Sequence, residues 1–87
     1  MGLFAEVIPP QLDMIAAALA NDDCQQINRD AHRMRGSCLQ IGALEMATLC
    51  NQLEHADHID EAAILAPQLR TCYDATLALI RQRYPHV

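Results

Sequence analysis

The sequence has no lysine and no tryptophan, only three glycines in 87 residues, and 3% aromatic residues. Sandwiches and barrels rely on aromatic and β-branched strand residues and on glycine-rich turns, so this composition argues against both. No apolar run approaches the roughly 20 residues that cross a bilayer; the longest, about Met14 to Ala20, is far too short. There is no signal-peptide pattern. No glycine-rich nucleotide motif is present, and the chain is too short to hold an ATP-binding domain, which excludes a kinase activity of its own. The net charge of −5 argues against a nucleic-acid partner.

What is present is helical. The chain is 52% hydrophobic, with alanine and leucine dominant. Its length allows one small domain, residues 1–87. Pro9-Pro10 follows a short apolar piece, Leu3 to Ile8, and is expected to open a new helix running to about Ala20. Leu12, Ile15, Ala16 and Leu19 share one face of it. Asn21-Asp22-Asp23 is an N-cap cluster. From there Ile27, Ala31, Met34, Cys38 and Ile41 form an apolar stripe that Gly42 ends. Met46, Leu49, Leu53 and Ala56 make a second stripe, and His55 to Asp60 a turn. The last helix spans about Asp60 to Tyr84, with Ala62, Leu65, Leu69, Cys72, Thr76 and Ile80 inward, Pro67 as a possible kink and Pro85 as its stop. Short turns make successive helices antiparallel. The expected architecture is therefore an all-α, up-and-down four-helix bundle with a short extra helical segment at its N-terminus.

Cys24, Cys38, Cys50 and Cys72 form no CxxC pair. Their even number permits disulfides, but each sits among apolar helical residues, the pattern of small core residues in a reducing compartment. His55, Asp57, His58 and Asp60 could suggest a metal, yet no third ligand is fixed by the spacing and none is expected. His86 falls in a tail expected to fray.

The third helical segment poses the functional question. His32 points about 100° away from the stripe through Ala31. Its helical neighbours are Asn28, Arg29, Arg35, Gly36 and Leu39. Three of the six arginines, Arg29, Arg33 and Arg35, lie within three residues of it. Glycine inside a helix costs about 1 kcal/mol relative to alanine. Gly36 makes sense if something bulky must approach the imidazole. An imidazole is a competent nucleophile near neutral pH, and Arg35 could hold negative charge placed on it. This combination suits a phosphoryl group on nitrogen.

His32-Arg33-Met34-Arg35-Gly36-Ser37 resembles the HxLKGS signature of histidine-containing phosphotransfer (HPt) domains. The likeness continues through Ile41-Gly42-Ala43, Leu49-Cys50 and Leu53-Glu54, matching the family's "GA…LC..LE" stretch. The lead-in from Ala18 to Asp22 is similar too. The resemblance implies a phosphorelay intermediate of two-component signalling. His32 would accept a phosphoryl group from a receiver-domain aspartate and pass it on. Arg35 would replace the family's lysine, keeping the charge but adding a planar fork. Gly36 would leave room beside the ring, and Glu54 would accept a hydrogen bond from Nδ1. The implied partners are response regulator receiver domains, which carry their own Mg²⁺, so the chain needs no cofactor. Asn28, Arg29, Arg33 and Leu39 are the expected docking residues. A cytoplasmic setting follows, as a monomer or as the C-terminal part of a hybrid sensor kinase at the inner membrane. The chain's shortness for the family favours the second. A helical docking module that transfers no phosphate is the alternative.

Overall fold

A computed structural model describes the backbone of residues 2–83 and the side chains from Glu6 to Arg83. Four helices follow one another: α1 (Gly2–Ala20), α2 (Cys24–Ile41), α3 (Leu44–Glu54) and α4 (Ile59–Arg83). No strand occurs among the described residues. Residues 21–23, 42–43 and 55–58 join them, too few to do anything but reverse the chain. Tyr84, Pro85 and His86, read above as helix end and tail, lie outside the described residues.

The termini of α2 are set by local chemistry. Asp23 caps its start, the carboxylate accepting from the Gln26 amide at 3.1 Å. Gly42 ends it in the left-handed region at φ 88°, where its N–H returns to the Cys38 and Leu39 carbonyls. The core is the convergence of the four apolar stripes. Ile8, Ile27, Met34, Cys38, Met46, Cys50, Leu53 and Leu69 are all fully buried. Each large side chain among them contributes about 2 kcal/mol by leaving water.

The prolines do not break the chain as expected. α1 runs unbroken through Pro9 and Pro10, so the extra N-terminal segment is simply the start of the first helix. The reason lies in the burial pattern. Ile8, Leu12 and Ile15 form one continuous buried row across the prolines, while Pro10 faces solvent and Pro9 is half-buried. Tertiary packing on that row holds the segment helical, and proline's fixed φ is itself compatible with a helix. α4 continues through Pro67, in line with the single last helix expected from the sequence. Two further faces differ from expectation. Ala16 is exposed and Ala18 buried, and Tyr73, unmarked in the sequence, is buried at 5% exposure.

α1 and α3 both pack on the buried row of α2, and polar groups edge each seam. Towards α1, Gln11 Nε2 donates to Ser37 Oγ at 3.2 Å. Asp30, seven residues before Ser37 and so on the same face, accepts from Gln26 Nε2 at 2.8 Å and is only 4% exposed. Gln11 Oε1 and Asp30 Oδ2 are buried without hydrogen-bond partners.

Candidate functional site

Because Ile27, Ala31, Met34 and Cys38 bury one stripe of α2, His32 is turned out onto the flank that borders α3. The two-residue turn folds α3 back antiparallel, and its last helical residue, Glu54, arrives beside the ring. Glu54 Oε1 lies 3.0 Å from His32 Nδ1. The imidazole remains 62% exposed and the carboxylate 20%. Arg35 reaches the same oxygen through Nε at 3.4 Å and touches Asn51 Oδ1 through Nη1 at 3.4 Å. The hydrogen bond to His32 holds the Glu54 carboxyl below its ordinary range, with the Arg35 charge acting in the same direction.

Gly36 lies one turn along from His32. A Cβ built there meets nothing within 4 Å. No neighbour among the described residues needs glycine at this position, so the space it leaves is open to something from outside. His32 also borders a shallow cleft of about 360 Å³ shared with Asn28, Arg29, Arg33 and Glu54. Beside it, a second open depression of about 320 Å³ joins Arg35 and Asn51 to Leu39, Leu44, Ala47 and Thr48. Leu39 and Leu44 are 54% and 66% exposed there. The site is thus an exposed imidazole backed by a carboxylate, flanked by guanidinium groups and edged by two bare leucines. It can accept an electrophile at Nε2 while the carboxylate holds Nδ1.

The residues singled out from the sequence fall together, though not in equal roles. His32, Arg35, Gly36 and Glu54 form one cluster. Arg33 and Leu39 are both exposed and flank His32 on either side, Arg33 in the cleft with the ring and Leu39 in the depression with Arg35. Arg29 is exposed but hydrogen-bonded along its own helix to Gln26 Oε1 at 3.0 Å. Asn28 is half-buried and donates to the Leu53 and Ala56 carbonyls at 2.7 and 3.2 Å, tying α2 to the end of α3. Asn51 and Leu44 escaped the sequence reading. Asn51 precedes Glu54 by three residues and so shares its helix face, a spacing that could have found it. Leu44 carries no such signal, since it sits at the first position of α3, off the buried row.

Elsewhere, all four cysteines are free thiols. Cys38 and Cys50 are fully buried, and their mutual hydrogen bond, with burial adding to it, pushes the Cys50 thiol far up. His55 Nδ1 faces the Asn51 carbonyl at 2.8 Å. Among the described residues no three histidine, cysteine or acidic side chains cluster as metal ligands. None of their helices is long and apolar enough to cross a membrane. A groove of about 790 Å³ between α3 and α4 touches neither His32 nor Glu54.

Comparison with known proteins agrees with this geometry. The model of the family described as "Hpt domain" matches residues 1–79. Over 52 residues the chain is 40% identical to the sensor protein TorS of Escherichia coli (strain K12). That match covers 60% of this chain and 6% of the relative, so the chain spans only a small part of the relative's length. No solved structure matches.

Proposed function

From a chain that belongs to the Hpt domain family, a family of phosphorelay domains in two-component signalling, we propose the following chemistry at His32. The imidazole accepts a phosphoryl group from a phosphorylated receiver aspartate and returns it to the same or another receiver.

The observation that carries this reading is the His32–Glu54 contact at 3.0 Å on a ring otherwise open to solvent. Glu54 accepts a hydrogen bond from Nδ1–H, which leaves the lone pair on Nε2, the nitrogen facing outwards. Nε2 attacks phosphorus, the aspartyl O–P bond breaks, and its electron pair stays on the departing carboxylate. The new N–P bond leaves a phosphoimidazolium that keeps its Nδ1 proton. Glu54 stabilises this cation, and reversal of the step regenerates the neutral ring. Arg35 offers charge-assisted N–H bonds to the phosphoryl oxygens. Mg²⁺ on the receiver supplies the remaining charge neutralisation. Arg29, Arg33 and the exposed Leu39 and Leu44 provide a basic, partly apolar face for an acidic receiver.

The test is transfer from a ³²P-labelled phosphorylated receiver with Mg²⁺, comparing the wild type with His32→Gln. Acid-labile, alkali-stable label on the wild type alone is expected. Receiver binding without any label on a folded wild type would favour the docking module instead.

A further inference from the structure

Asn51 sits in none of the motifs that carry the family resemblance; it occupies the first variable position between Cys50 and Leu53. Its side chain nevertheless reaches the cation at the centre of the site. Arg35 stands where the resemblance places a lysine, and the structure uses what a lysine lacks. Nε is 3.4 Å from Glu54 Oε1 and Nη1 is 3.4 Å from Asn51 Oδ1, both acceptors on one face of α3. A guanidinium is a rigid plane. Holding two of its nitrogens fixes the direction of the third, and Nη2 has no partner among the described residues.

The Nε contact is an ion pair and the Nη1 contact a long hydrogen bond, so together they orient the fork without saturating it. Glu54 Oε1 is meanwhile shared with His32 Nδ1 at 3.0 Å. Take Asn51 away, and nothing opposes rotation of the fork into a two-pronged pair with Glu54, the geometry arginine and carboxylate prefer. That collapse would draw the carboxylate from Nδ1 and remove the cation from the open side of the ring.

We infer that Asn51 is a positioning residue for the phosphoryl site, keeping the Arg35 fork off Glu54 so that Nη2 meets a phosphoryl group on His32. The inference rests on the relay reading above and adds to it a residue that acts only through Arg35.

The experiment uses phosphoramidate as donor, a molecule too small to need a docking face. In that reaction the donor N–P bond breaks with its electrons leaving on ammonia, and Nε2 forms the new one. Labelling rates are compared for the wild type, Asn51→Ala, Arg35→Ala and the double variant, with His32→Gln as blank. Asn51→Ala should fold normally, because alanine suits a helix and the backbone carbonyl that accepts from His55 is untouched. Circular dichroism checks this. The expected result is about fivefold slower labelling for Asn51→Ala, which acts only through the fork, and roughly thirtyfold for Arg35→Ala, the scale of a lost charge-assisted hydrogen bond to the phosphoryl group. The double variant should be no slower than Arg35→Ala alone, the non-additivity of residues acting as one unit. Asn51→Ala at the wild-type rate, or additive losses in the double variant, overturns the inference while leaving the relay reading intact. A wild type that takes label from neither phosphoramidate nor any receiver overturns both.

Discussion

His32 and Glu54 are 22 residues apart in sequence and 3.0 Å apart in space, joined across the α2–α3 seam by Nδ1 and Oε1. This one contact decides which ring nitrogen is free. Glu54→Ala removes the acceptor, so both tautomers should be populated and transfer at His32 should slow by roughly tenfold, less than the hundredfold or more of groups that transfer a proton, because Glu54 orients the ring and moves none. Glu54→Gln keeps an acceptor oxygen and should slow it less. Nitrogen-15 chemical shifts of the ring, read beside transfer rates, check both.

The same contact has a pH signature. His32, and to a lesser degree Arg35, holds the Glu54 carboxyl below the ordinary value of about 4.3. The folded state therefore gains stability from this group above that ordinary value. The gain is lost as pH falls through the lower folded value. His32→Ala should move the Glu54 titration upwards. A carboxyl carbon-13 titration of the two proteins makes the comparison.

Gly36 separates stability from reactivity. A Cβ there meets nothing within 4 Å, so Gly36→Ala should stabilise the protein by about 1 kcal/mol through helix propensity. Gly36→Leu should also fold, but should slow transfer strongly by filling the space beside the imidazole. Urea denaturation and transfer rates on both variants test the pair of statements.

Asn28 has work to do within the fold itself. Its amide satisfies the Leu53 and Ala56 carbonyls at the end of α3. Asn28→Ala should cost about 1–2 kcal/mol in urea denaturation. A protein as stable as the wild type would mean that these bonds carry no net weight.

Much of this was legible in the sequence because α2 obeys one rule throughout. Its buried row repeats at helical spacing, Gly42 stops it where a left-handed residue is needed, and His32 departs from the row by one position. Glu54 could be placed beside it only through the family resemblance, since no periodicity links residues on two helices. Other features were hidden for physical reasons. Pro9-Pro10 reads as a break by propensity, but packing of Ile8 and Leu12 outweighs it. Ala16 and Ala18 are equally small, and only the direction from which α2 approaches α1 chooses between them. Tyr73 is buried because α4 touches more than one neighbour and so needs more than one row. Asp30 carries no sign of burial in the sequence, since a carboxylate beside the core row is ordinarily solvated.

The α1–α2 seam bears on the order of release. α1 joins the core through Ile8, Leu12, Ile15 and Ala18 but also carries the Gln11–Ser37 bond and the unmatched Gln11 Oε1, whereas the α2–α3 hairpin closes on fully buried Met34, Cys38, Met46, Cys50 and Leu53. The unmatched Gln11 oxygen regains water when α1 lifts, which lowers the cost of that opening. Amide protons of α1 should accordingly exchange with solvent before those of α2 and α3. The first helix then behaves as a removable cover, and His32 and Glu54 ride on the hairpin that stays closed while the cover is off.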